Sequence, residues 1–299
     1  MYNWAQILFN SIQTGSIYLL SAVALTLTYG LSRFPNFAHA EFMTLGAYIG
    51  FFISNLLHLP LALTVLLCIL GAFVVSGGLG LMSYKAVFGP LLRRGSSLIH
   101  LMIASMALGF IIRYAITQLW PTGALSFNFS WPAGFDIGPL RINVVWLLPI
   151  AAALVAGVSM HLLLTRTNIG RAIRATASNP QLAMASGINT GRVLLTTWFL
   201  SAGLAGLAGF FIGARGTLSP IMGWNILLPV FAVTVLGGIG SFYGAMVAAF
   251  IIGLAENVGV VLLSQFGLST DYRTAISFVI LIVVLLIKPE GLTRLFKGN

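Results

Sequence analysis

The sequence predicts an all-α, polytopic transmembrane bundle. Three observations predict it. Only 7% of the 299 residues are charged and 59% are hydrophobic, whereas a soluble domain carries about 25% charged residues. Apolar runs near the roughly 20 residues that cross a bilayer recur along the whole chain. The basic residues gather between those runs instead of spreading through them. A net charge of +10 would point to nucleic acid in a soluble protein. Here it reads as the positive-inside bias of cytosolic loops, with the lipid bilayer as the surrounding partner and no nucleic acid.

The predicted spans are 5–31, 36–57, 61–84, 97–119, 143–165, 193–213 and 272–288. The start MYNWAQILFN lacks a basic n-region, so the first helix is expected to be retained. Segment 225–264 is interrupted by Gly237, Gly238, Gly240 and Gly244. It reads as a half-helix, a glycine turn and a full helix. The expectation is about eight full spans plus a half-helix, with nine passes favoured and 36–57 partly re-entrant. Lys85, Arg93 and Arg94, then Arg166 to Arg192, then Lys288, Arg294 and Lys297 fall on one side, with Arg33. Arg141, Arg215, Arg273, Asp136 and Asp271 fall on the other. The positive-inside rule then puts the N-terminus out and the C-terminus in. Residues 1–299 read as one transmembrane domain, with a cytosolic loop at about 166–192.

Chemistry has few candidates. Cys68 is the single cysteine and excludes an intrachain disulfide. Four scattered histidines and five acids offer no metal set and no nucleophile–base pair. The chain contains no phosphate-cradling GxxxxGK[ST] loop, so ATP and Mg, if used, belong to another polypeptide. A self-contained secondary transporter would need a coupling-ion site, for which Glu256 is the one candidate.

The most unusual stretch is polar segment 166–192, TRTNIGRAIRATASNPQLAMASGINTGR from Thr165 onward. It carries Arg166, Arg171, Arg174 and Arg192 and no acid. Asn168 reads as the cap of one short helix. Asn179 followed by Pro180 reads as an N-cap and first helical residue, with Gly187 just past the end. The helix 180–186 is too short to stand alone in water. Its small and apolar side chains, Leu182 to Ala185 beside Gln181, suit insertion into a groove on a partner. The plainer reading is a basic loop held at the lipid surface.

Within the spans, Glu256 lies mid-helix beside Asn257, and Arg113 lies at similar depth. A charge at that depth costs about 2.5–3.5 kcal/mol, so the two are expected to pair inside the bundle, as a tie between helices or as part of a gate. His39 and Glu41 open span two near the cytosolic face, as a capped entrance with Glu41 near Arg33, or as a gate. Gly237, Gly238 and Gly240 permit close packing or a half-helix end in the pathway. Asn10, Gln13, Thr14 and Ser21 form a polar stripe on span one that lines a pathway or bonds to neighbouring helices. Trp120, Pro121, Trp131 and Pro132 mark an ordered outer loop, as an aromatic belt or as a landing surface.

Gln181-Leu182-Ala183, three residues and Gly187 resemble a degenerate EAA loop of ABC importer permeases. GRAIRATASNP and GIN around it, with NFAHAEFMTLGAYIG (36–50), VLGGIGSFYGAMVAAFIIG (235–253) and IKPEGL (287–292), resemble the LivH-type permease of branched-chain amino acid importers. The resemblance implies a non-catalytic inner-membrane subunit without a cofactor of its own. It also implies a second homologous permease, two cytosolic ATPases on the coupling loops and an extracytoplasmic substrate-binding protein. Sparse charge along the spans fits a neutral solute. Amino acids, urea and short amides fit that equally, and the resemblance selects branched-chain amino acids.

Overall fold

The computed structural model describes residues 3–57, 59–121, 123, 125–127, 129, 131–287 and 291–292, the side chain of Asp271 excepted. Lys288, Pro289, Glu290, Arg294 and Lys297 lie outside the described residues, so the C-terminal charge and half of IKPEGL are not tested.

Every predicted span contains a helix. Helix α1 (Trp4–Ser32) runs from the N-terminal face of the bundle to an opposite face, here called the loop face. Then follow α2 (His39–Leu56), α3 (Leu61–Ser83), α4 (Gly89–Arg93), α5 (Leu98–Leu119) and α6 (Val144–Arg166). Two short helices, α7 (Asn168–Ser178) and α8 (Pro180–Ala185), lie on the loop face. Helices α9 (Thr190–Gly213), α10 (Met222–Gly237), α11 (Phe242–Gln265) and α12 (Arg273–Ile287) complete the bundle. Six stretches are long and apolar enough to cross a membrane, at 4–32, 61–93, 98–119, 144–166, 190–213 and 242–265. The chain is thus a polytopic helical membrane protein. The shorter α10 and α12 are apolar as well.

Two departures from the expected helices have local causes. Helix α3 was predicted to stop at 84 but continues to Arg93 through a π-helical turn, Tyr84–Phe88. Gly89 N–H reaches the Tyr84 carbonyl, a wide turn just before Pro90, whose ring has no N–H to give to the ladder. The wide turn stacks Phe88 on Trp198 at 4.8 Å. The all-α expectation also needs a correction. Four short strands cover the N-terminal face, with β1 (Leu125–Ser126) pairing β4 (Thr217–Leu218) and β2 (Phe135–Ile137) pairing β3 (Leu140–Ile142). Runs of two or three residues are too short to leave a periodic signal.

Small residues hold the centre together. Gly206 of α9 packs directly on Gly46 of α2 and on Ala72 and Ser76 of α3, and Gly209 packs on the Met43 backbone. Such contacts bring backbones close where no hydrophobic effect drives helices together within lipid. The outward sides of α3, α5 and α6 are rich in exposed leucine, isoleucine and valine, as a lipid-facing surface should be.

Helix α2 starts inside the bundle. Arg33 ends α1 in the left-handed conformation (φ 55°), and residues 33–38 turn back along α1. As a result His39 Nε2 lies 3.1 Å from both the hydroxyl and the carbonyl oxygen of Ser21, midway along α1. The expectation that His39 and Glu41 lie near the loop face is therefore corrected. Six non-helical residues carry them inward. From the other side, Gly223 N–H near the start of α10 donates to Thr44 Oγ1 of α2 at 3.2 Å. The N-termini of α2 and α10 thus meet within the bundle.

Candidate functional site

The loop face carries the first candidate. Helix α7 buries Gly170, Ile173 and Thr176 against the bundle, a spacing that leaves Arg171 and Arg174 exposed on its outer side. Its N-cap is Thr167, whose hydroxyl oxygen accepts from Gly170 N–H at 3.0 Å. Asn168, expected as the cap, is the first helical residue; it sits one position too late for its side chain to reach an orphan N–H.

Helix α8 matches its sequence signals. Asn179 Oδ1 accepts from Gln181 N–H at 3.0 Å and Leu182 N–H at 3.1 Å, and Pro180 follows as the first helical residue. At the other end Gly187 N–H donates to the Met184 carbonyl and Ile188 N–H to the Ala183 carbonyl, each at 3.0 Å. This pair of bonds is a Schellman closure, and it requires the positive φ of 83° that Gly187 adopts. Ala183 is buried, whereas Leu182 is 65% exposed and Met184 54%. Two apolar side chains thus stand out from a rigidly closed helix.

The second candidate is a set of polar groups within the spans. Glu256 is fully buried. Its carboxylate accepts from the Tyr18 hydroxyl at 2.7 Å, from Arg273 Nε at 3.0 Å and from the Ser277 hydroxyl. Asn257 Nδ2 donates to Thr14 Oγ1 at 3.2 Å, and Arg273 reaches the same oxygen at 3.1 Å. The cluster therefore ties α1, α11 and α12 together. It floors a cavity of about 450 Å³ that is also lined by Arg215 and Asn225. Arg215 reaches solvent, yet desolvation by surrounding protein, and then the like charge of Arg273, lower its pKa from the ordinary value.

The expected Arg113–Glu256 pair does not form. Arg113 donates from Nε to Glu41 Oε1 at 3.0 Å, with a second bond from the guanidinium to the same oxygen. The inward path of 33–38 lifts Glu41 to the level of Arg113, and Arg273 in the first turn of α12 takes Glu256. For the same reason Glu41 has left Arg33. The Arg113 guanidinium lies over Trp224 at 5.1 Å and Phe110 at 5.6 Å. Sequence reasoning put Arg273 at the outer end of the last span without a partner and missed Trp224, Phe110, Tyr18 and Ser277. The four-residue step from Arg273 to Ser277 and the three-residue step from Phe110 to Arg113 were the available signal for those two, since each pair shares a helix face.

The remaining stripe on α1 divides. Gln13 is fully buried with neither amide atom partnered among the described residues, whereas Asn10 Oδ1 accepts from Gln6 Nε2 at 3.1 Å. Gly238 and Gly240 adopt φ of 90° and 82° and make the turn between α10 and α11. Gly237 lies hard against the Gly244 and Ala245 backbone. Among the described residues no three His, Cys, Asp or Glu gather as a metal site.

The family described as branched-chain amino acid transport system / permease component matches residues 7–285. This chain belongs to that family. The LivH permease protein of the high-affinity branched-chain amino acid transport system of Escherichia coli K12 is 33% identical over 96% of this chain and 94% of its own length. The ribose import permease RbsC of E. coli K12 is 26% identical over 94% of this chain and 84% of its own. PsaBC from Streptococcus pneumoniae, solved in complex with Fab, shares the fold with a TM-score of 0.50 at 14% identity, over 99% of this chain and 96% of that one. Among the described residues, this member of the branched-chain permease family places α7 and α8 on the loop face and holds the buried Glu41 and Glu256 in two separate ion pairs.

Proposed function

We propose that this chain is the permease subunit of an ATP-driven ABC importer that moves branched-chain or other neutral amino acids into the cytoplasm by alternating access. The observation that carries the reading is α8 in a member of the branched-chain permease family. A closed helix with Leu182 and Met184 exposed on a membrane protein's polar face is shaped to enter a groove on a motor subunit. The E. coli LivH name supports the solute class.

On this reading the loop face is cytosolic and the N-terminus lies outside, in a bacterial-type inner membrane. Nine crossings bring the C-terminus to the cytosol. Two observations support that parity: Leu292 N–H bonds to the Leu236 carbonyl at 2.7 Å, beside the glycine turn, and the cationic α7 sits on the same face. The chain catalyses nothing and holds no cofactor. ATP and Mg act in two cytosolic ATPases that grip α7 and α8. A second homologous permease completes the membrane unit, and an extracytoplasmic binding protein delivers solute to the strand-covered face. Sub-stoichiometric charge along the spans suits a solute with no net charge.

The test is purification of the tagged chain from its native membrane under mild detergent. Two ATPases and a second permease should be recovered with it. Recovery as a lone homodimer without ATPase would sink the reading.

A further inference from the structure

Arg113, in the half of α5 nearer the N-terminal face, meets Glu41 in the first turn of α2. The Arg113 guanidinium lies over two exposed rings, Phe110 and Trp224. Arg113 is 14% exposed and Glu41 is 1% exposed. Both bonds from Arg113 go to Oε1, and Glu41 Oε2 is left buried without a hydrogen-bond partner among the described residues. A guanidinium at this depth is costly unless it is paired, and Glu41 supplies the pair. An unpaired buried carboxylate oxygen is a costly feature, and it is one a donor cation would satisfy.

We infer that Arg113 and Glu41 form the selectivity site for a zwitterionic amino acid. The inference rests on the amino-acid reading above and deepens it. The solute carboxylate takes the Arg113 guanidinium, and the N-termini of α2 and α10 favour negative charge at the same point. The solute ammonium takes Glu41 Oε2. The apolar side chain lies against the Phe110 and Trp224 rings. Four charges then alternate, and neither protein charge loses its partner when the pair opens. A solute with one charge, or with none, would open the pair and leave a buried charge unmatched. On this inference the transporter selects against amides and sugars.

The test uses the whole transporter in lipid nanodiscs, with leucine, leucinamide and isocaproate as probes and tryptophan emission as the readout. Leucine should change the emission and saturate, and Trp224→Phe should remove that change. Leucinamide and isocaproate, each lacking one charge, should bind more than tenfold more weakly. Arg113→Gln and Glu41→Gln should each weaken leucine more than tenfold. Wild-type affinity for leucine in both variants overturns the inference. If the single variants fail to assemble, Glu41→Gln combined with Arg113→Gln leaves no unmatched buried charge and is measured instead; wild-type affinity there overturns it. Leucinamide binding as tightly as leucine to the wild type overturns it without any variant. ATP-driven leucine uptake that survives these substitutions unchanged would remove the site and leave the proposed function standing. A wild-type complex that imports no amino acid removes both.

Discussion

Arg273 donates from Nε to Glu256 Oε2 across 3.0 Å, joining the first turn of α12 to the middle of α11. Arg273 is more than a third exposed, whereas Glu256 is fully buried. The bond therefore serves Glu256 more than it serves Arg273. Replacing Arg273 with alanine leaves the carboxylate with Tyr18 and Ser277 only. A hydrogen bond to a charged group contributes about 1.5–3 kcal/mol, so Arg273→Ala should lower the thermal midpoint of the solubilised protein by several degrees. Glu256→Gln combined with Arg273→Ala should recover part of that loss, because no buried charge then stands alone. A melt of the Arg273→Ala protein that overlays the wild type would show that the pair holds nothing together.

Gly187 has a different kind of requirement. Its φ of 83° closes α8, and a β-branched side chain there costs about 1–2 kcal/mol in the left-handed region. A helix of six residues has no reserve to absorb that. Gly187→Val should therefore leave membrane insertion and the melting of the bundle unchanged. ATP-driven uptake should fall while ATP hydrolysis continues. Parallel assays of uptake and hydrolysis on reconstituted transporter check this, and equal uptake in variant and wild type would remove the coupling role.

Leu182 and Met184 make the complementary prediction. Exposed in this chain, they have nothing to lose from truncation unless a partner covers them. Fully burying such a side chain contributes about 1.5–3 kcal/mol, and about 1.4 kcal/mol is a factor of ten in affinity. Leu182→Ala with Met184→Ala should cut ATPase retention on a tagged column at least tenfold without changing the melt. Full retention would leave the helix without its assigned partner.

These contrasts show what was legible in the sequence. Helix α8 was readable because its signals are local: Asn179, Pro180 and Gly187 each act on backbone within a few residues. The spans were readable because hydropathy reports environment directly, as was the glycine turn at 237–240. The ion pairs were not readable. Depth along a helix says which charges share a level, but not which are lateral neighbours. Arg113 and Glu256 were matched by depth alone. What decides their partners is the non-helical path of 33–38, fixed by an arginine in a left-handed turn that no residue pattern announced. The cap of α7 failed for a smaller reason, a one-residue difference between Thr167 and Asn168, both of which are good caps.

The glycine contacts give a further check. A Cβ on Gly244 would press into the Gly237 carbonyl, where the neighbour is backbone and cannot turn aside. Overpacking costs about 1–3 kcal/mol. Gly244→Val should reduce the yield of monodisperse protein on size-exclusion chromatography and lower its melting midpoint, whereas Gly78→Val, at a position with open space around the added atom, should change neither. Equal behaviour of the two variants would contradict the close α10–α11 contact.

The most direct measurement of the central claim is leucine uptake into proteoliposomes that contain this chain with its co-purified subunits. The proposed function predicts uptake that needs enclosed ATP on the loop-face side and the binding protein on the other, and that stops when either is omitted. Uptake by the purified chain alone under an ion gradient, or leucine import indifferent to ATP, would contradict it.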